Sequence, residues 1–311
     1  MHNGFKLFPL LAAAALALAA CSDPDSGKTN NNGNSQSQDG AASGTFDLSE
    51  LSAVTDIAAM VPEELRTSGV LRNGASTDYA PAEFRSTDGQ TPVGYDIELV
   101  KALAIVMGLE EGQTTHAEFP TIIPALGTKY DIGASSFTIT SDRLEQVNMV
   151  SYVEVGSAYA VATGNPSGFD PANPCGATIG VQNGTFQFDY AQELSDHCVA
   201  DGQDPISVMP HDLQTDVTTK VIGNIYDATF ADSTVVGYAI YNSNGQLEQV
   251  GDIIESAPQG IAVQKEDEQL AAAIQAALQY LMDEGYLKQI LAGYGAEDAA
   301  LTQAQINPAV D

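Results

Sequence analysis

The feature that most constrains this chain is an alternation, run twice, of short strand-like stretches with helix-periodic ones. Residues 70–75 read as a strand, and 94–108 as a helix with Ile97, Val100, Ala104 and Met107 on one stripe, Asp96 as its cap and Gly108 as its stop. A strand at 114–119, a short helix at 122–126 and a strand at 131–135 follow, then an extended connection at 157–163. The cycle restarts with a strand at 177–182, a turn and cap at Asn183-Gly184-Thr185, and a helix through Leu194. Strands at 206–209 and 227–231 flank a helix at 212–223. A return strand at 260–264 precedes a helix at 268–282, whose Leu270, Ile274, Leu278 and Leu281 recur at helical spacing before Gly285. Such a succession buries strands between helices, so the expected class is α/β, in lobes of mostly parallel sheet. Ligands in sheets of that kind sit at strand carboxyl ends.

One strand end carries unusual chemistry. The run 133–143, GASSFTITSDR, places Ser135, Ser136, Thr138 and Thr140 in front of Arg143. The chain has 11 Lys+Arg against 41 Asp+Glu, a formal charge of −30, so an arginine here is poorly explained as surface filler. Thr140 reads as a helix N-cap with Asp142 in the first turn. An arginine fork beside helix-terminal N–H groups suits a carboxylate. A capped helix whose arginine pairs with a surface acid is the plainer alternative. The acidic balance excludes a basic nucleic-acid-binding face.

The amino terminus points to export. Lys6 precedes an apolar run from Leu7 to Ala20, too short and wrongly flanked to span a membrane. Leu18-Ala19-Ala20-Cys21 resembles the lipobox of bacterial lipoproteins, which implies diacylation of Cys21 and an anchor on the outer face of the cell membrane, periplasmic where an outer membrane exists. An ordinary secretory signal cut nearby is the alternative. The expected boundaries are a signal peptide at 1–20, a polar tether at 21–50, a first lobe at 51–161, a second at 162–259, a return segment at 260–297 and a tail at 298–311. Two cysteines remain, Cys175 and Cys198; in an exported protein that pair suggests a disulfide. Two free thiols or a metal site are the alternatives, and metal is disfavoured because only His197 lies close and no Cys-x-x-Cys occurs.

Four segments in order are similar to the extracellular solute-binding proteins of family 3, which deliver polar amino acids to ABC importers. They are Ala75-Ser76-Thr77-Asp78-Tyr79-Ala80-Pro81 with Glu83-Phe84; GYDIELVKALAIVMG; Phe119 to Leu126 followed by the GASSFTITSDR run; and VQNGTFQ with DATFADSTVVGYAI. The resemblance spans about residues 65–295. It implies a two-lobed periplasmic-binding-protein-like fold with two hinge crossings, near Val161 and Ile261, and a monomer that binds a polar amino acid and docks on a permease. By position, Arg143 would clamp the ligand α-carboxylate, helped by Thr138 and by backbone donors at Thr138 and Phe186. Asp232 with Ser136 would hold the α-ammonium. Tyr79 and Phe119 would sandwich the side chain, and Gln182 and Thr185 would line the second lobe. Asp96 and Glu98 are expected to be cap and surface, with no ligand role. No cofactor and no metal are implied.

Two departures bear on specificity. Many members carry an acid three positions before the aromatic of the first loop, where this chain has Ser76; a Phe often follows the loop proline, where it has Ala82. With Gln182 and Thr185 able to bond an amide or carboxylate, uncharged or acidic ligands are expected slightly ahead of basic ones, although Asp78 pulls the other way. An enzyme on the same fold, dehydratase-like, is the competing class. No HExxH or Gly-x-Ser-x-Gly motif occurs, and none of the four histidines falls in a matched ligand segment. A ligand-sensing lipoprotein without a transporter is a third class.

Overall fold

The structure is a computed structural model that describes residues 46–310; Cys21 and the leader lie outside them. Helices α1 (Thr55–Met60) and α2 (Glu63–Ser68) lead into β1 (Val70–Ala75), then β2 (Phe84–Arg85), β3 (Pro92–Val93), α3 (Tyr95–Val106), β4 (Glu111–His116), α4 (Phe119–Ile122), β5 (Ile132–Gly133), α5 (Ser141–Gln146) and the long β6 (Val147–Ala162). The second half runs β7 (Thr178–Gln182), α6 (Phe186–Ala200), β8 (Ser207–His211), α7 (Gln214–Ile222), β9 (Ala228–Asp232), α8 (Ser233–Asn242), the long β10 (Leu247–Gln264), α9 (Glu268–Asp283) and α10 (Tyr286–Ala292).

The strand order is β4-β1-β5-β10-β6-β9-β7-β8. β4, β1 and β5 are mutually parallel, as are β8, β7 and β9. Between these trios, β10 and β6 pair antiparallel with each other and with their flanking strands β5 and β9. The fold is two lobes, each a mostly parallel sheet completed by one half of the β6–β10 ribbon. The first core gathers Leu71, Leu103, Val153, Ile274, Leu278 and Ile290; the second gathers Tyr159, Val161, Ile179, Val181, Cys198 and Phe230. On β6, Val155 belongs to the first core and Tyr159 to the second; on β10, Ile261 belongs to the first and Ile254 packs on the second. The ribbon therefore crosses between lobes at 155–159 and 254–261, where its register slips at Ile254/Ala257 and Gln259/Gly260. Val161 lies beyond that crossing, inside the second core.

Several boundaries differ from those read in the sequence. The strand expected at 114–119 is β4, three residues earlier, and Phe119 instead opens α4. The stretch 157–163 is the end of the 16-residue β6 rather than a connection, and 260–264 is only the end of the 18-residue β10. Helix α6 runs on to Ala200, where Cys198 bridges to Cys175 with the Cα atoms 5.6 Å apart. Asp96 does not cap α3: the cap is Gly94, at φ 124°, and a Cβ there would stand 2.1 Å from the Ala82 carbonyl oxygen. Glycine thus lets the loop after β1 lie on the start of α3. The C-terminal tail covers the first-lobe edge of β6, with bridges Val153–Ala300 and Val150–Ile306. Unpaired strand edges are exposed to wrong pairings, and this one is closed.

Candidate functional site

Tyr79, Phe119, Ser136, Thr138, Arg143, Gln182, Thr185, Phe186 and Asp232 line one small, nearly closed cavity between the lobes, with Gln187. Each sits where a strand ends or a helix begins. Tyr79 follows β1, Phe119 opens α4, Ser136 to Arg143 join β5 to α5, Gln182 ends β7, Thr185 and Phe186 start α6, and Asp232 ends β9.

One end of the cavity is built for an anion. Thr140 caps α5, its Oγ1 accepting from the Arg143 N–H at 3.3 Å. That cap fixes the backbone from which the Arg143 side chain turns inward. Its Nη1 donates to the Thr138 carbonyl at 2.6 Å and its Nη2 to the Gly184 carbonyl at 3.1 Å. The guanidinium lies 5.5 Å from the Phe119 ring and 5.4 Å from that of Phe137, and the two rings stack at 4.5 Å. Burial pushes the Arg143 pKa down to about 10, which leaves it charged at neutral pH. In the Thr138–Gln259 bridge, the ladder bonds run through Phe137 and Ile139, so the Thr138 N–H lies on the free edge beside Arg143. Thr185 caps α6: its Oγ1 accepts from the Phe188 N–H and donates to the Gln182 carbonyl. The orphan N–H groups at the start of α6, on Phe186 and Gln187, complete a carboxylate cradle.

The other end is anionic. Asp232 is 3% exposed, and its two oxygens accept from Gln187 Nε2 at 2.7 Å and Gln259 Nε2 at 2.6 Å. Its N–H donates to the Tyr79 hydroxyl at 3.0 Å. Burial pushes the Asp232 carboxyl up to about 6, so it is ionised at pH 7 at a desolvation cost that a cation would offset.

Behind this end lies a buried acid pair that the sequence did not reveal. Glu83 and Asp96 are both fully buried. Glu83 accepts from the hydroxyls of Ser135 at 2.7 Å and Ser136 at 3.2 Å; Asp96 accepts from the Ser136 N–H at 2.9 Å and the Tyr152 hydroxyl at 2.6 Å. Burial, then the neighbouring Asp96, holds the Glu83 carboxyl far above its ordinary range; burial pushes Asp96 up to about 6. Together they hold Ser136 in the left-handed region, φ 52°. Asp96 is therefore a buried support beneath the Ser135–Ser136 loop rather than a helix cap. Glu98, expected on the surface, is half-buried and accepts from the Tyr294 hydroxyl at 2.6 Å. The Ser136 hydroxyl donates to Glu83, and its oxygen keeps lone pairs that can accept from an ammonium.

Gln187 and Gln259 were missing from the sequence reading. Gln187 stands two residues after the cap Thr185, within the VQNGTFQ motif, and that was its only signal. Gln259 lies in a run of β10 with no pattern to single it out.

The chain matches a model of the bacterial extracellular solute-binding proteins, family 3, over residues 71–297. It is 38% identical over 257 residues to the arginine-binding protein ArgT of Corynebacterium glutamicum, covering 82% of this chain and 83% of that one. An ancestral arginine-binding protein bound to arginine aligns with a TM-score of 0.67 at 28% identity, over 73% of this chain and 98% of that structure. An ancestral amino acid-binding protein described as a precursor of cyclohexadienyl dehydratase aligns with a TM-score of 0.66 at 26% identity, over 75% and 98% of the two chains.

Proposed function

The chain belongs to the bacterial extracellular solute-binding proteins of family 3, and on that footing we propose that it captures L-arginine and hands it to an ABC importer. In this reading Arg143, the Thr138 N–H and the start of α6 take the α-carboxylate, Asp232 with Ser136 takes the α-ammonium, and Tyr79 and Phe119 flank the side chain. The carrying observation is the state of Gln182. Its Nε2 donates to Ser76 Oγ at 3.0 Å and to the Asp212 carbonyl at 3.1 Å, and no described donor reaches its Oε1. Gln182 thus offers the cavity an acceptor, which suits a guanidinium, a group that only donates.

That replaces the ligand order expected from sequence. The sequence places uncharged or acidic ligands slightly ahead of basic ones, on Ser76 and on Gln182 and Thr185 as partners for an amide or carboxylate, but both of the latter have spent their side-chain protons on Ser76, Asp212 and the Gln182 carbonyl. The resemblance of the C. glutamicum arginine-binding protein over most of the chain supports the same ligand. Lipidation at Cys21 would keep the protein beside its permease. Calorimetry against L-arginine, lysine, histidine, glutamine and glutamate tests the assignment, with arginine expected tightest. Glutamine or glutamate binding more than tenfold tighter than arginine refutes it.

A further inference from the structure

Helix α7 of the second lobe starts without a cap of its own. Its N-cap residue is Leu213, whose side chain has no acceptor, and no side-chain cap bond is made there. The missing group arrives from the other lobe. Asp78, 137 residues away in the loop after β1, accepts from the Thr215 N–H at 2.9 Å through one carboxylate oxygen, and both its oxygens lie 3.0 Å from the Thr215 hydroxyl that donates to them. Thr215 is the second residue of α7, the position whose N–H a capping side chain takes. A carboxylate at that point also complements the positive end of the helix.

Asp78 does not line the ligand cavity, whereas its neighbour Tyr79 does. The cross-lobe hydrogen bonds from Gln182 to Ser76, from Arg143 to the Gly184 carbonyl and from the Asp232 N–H to Tyr79 each involve a residue of the ligand cavity, whereas the Phe84–Tyr238 ring contact, like Asp78–Thr215, does not. The Asp78–Thr215 contact stands apart from the ligand, so its energy belongs to closure alone. We propose that Asp78 is a cross-lobe latch, capping α7 only when the cleft is shut and thereby setting how long the shut cleft retains its amino acid.

The Asp78–Thr215 hydrogen bond is exposed at the surface even when made, so opening the cleft parts the two groups and leaves each to water, and closing pairs them. The latch therefore lowers the dissociation rate and leaves the encounter rate unchanged. From the cost of losing an N-cap, Asp78→Ala is expected to raise Kd for L-arginine by about 2- to 30-fold, through faster dissociation. Thr215→Val removes only the hydroxyl; in that background Asp78→Ala should cost less than in the native chain.

Stopped-flow binding with L-arginine on the native chain, both single variants and the double variant reads these terms. Ligand-free melting of Asp78→Ala should match the native chain, because the latch is broken in the open form. An unchanged dissociation rate overturns the latch, as does a loss confined to the association rate, which would mean charge steering. Additive costs of the two substitutions overturn the pairing with Thr215. The latch rests on capture of an amino acid, while the arginine assignment is separate: no binding of L-arginine by the native chain refutes that assignment, and the same four proteins are then compared with whichever amino acid most raises the native melting temperature.

Discussion

Replacing Asp232 by Asn should move binding and stability in opposite directions. The carboxylate is 3% exposed, its oxygens are held by Gln187 and Gln259, and burial raises it from 3.8 to about 6. Removing one partner of a buried charge pair costs roughly 3–5 kcal/mol, which is about two to three and a half orders of magnitude in affinity. The ligand-free protein carries the reverse account. An acid whose folded pKa lies above its unfolded value opposes folding at pH above the folded pKa, and that penalty vanishes below the unfolded one. A rise of about two units corresponds to an upper limit of about 3 kcal/mol at pH 7.5. Asn carries no such penalty. It can also bond Gln259, whose Oε1 is buried with no partner among the described residues and can turn to accept the new amide. The ligand-free melting temperature of Asp232→Asn at pH 7.5 is therefore expected to equal or exceed the native value, with any gain shrinking as pH falls from 6 toward 4. Calorimetry with L-arginine and ligand-free thermal melts read the two quantities. Affinity within tenfold of native refutes the ammonium clamp; a large fall in ligand-free stability means that Asp232 is chiefly a structural anchor for its glutamines.

The same carboxyl dictates a pH profile: affinity for L-arginine should be level above pH 7 and fall below about pH 6, approaching tenfold per unit, because the ammonium needs the ionised form. Calorimetry at pH 5 that matches pH 7.5 refutes this. The Cys175–Cys198 bridge joins residues 23 apart within the second lobe, so converting both to Ser should cost about 3 kcal/mol of stability and leave arginine affinity within about twofold. An unchanged melting temperature, or a large loss of affinity, contradicts that.

What could be read from sequence was chemistry carried by local motifs. Thr140 and Thr185 could be recognised as caps because capping is decided within three or four residues, and both caps are present. The nine nominated site residues lie in such motifs, at strand ends and helix starts, and they line one cavity. The parts that escaped depend on distant partners. Asp96 stands in the first turn of α3 and reads locally as its cap; its burial comes with partners Ser136 and Tyr152, 40 and 56 residues away. The outer half of β10 escaped because much of it is exposed, so no alternation of apolar and polar residues marks it as a strand.

That division has a consequence for specificity. The proposed clamp for the amino-acid backbone comes largely from caps and helix ends, which local sequence writes directly. The side-chain preference turns on which way one amide points, and Gln182 is oriented by Ser76, 106 residues earlier, and by the Asp212 carbonyl, 30 residues later. In the proposed site Ser76 would act on the ligand at one remove: an acid there would meet a cation directly, whereas the serine accepts from the Gln182 amide and leaves the opposite end of that amide, an acceptor, for the ligand. In that reading a cationic side chain is recognised without a carboxylate at residue 76.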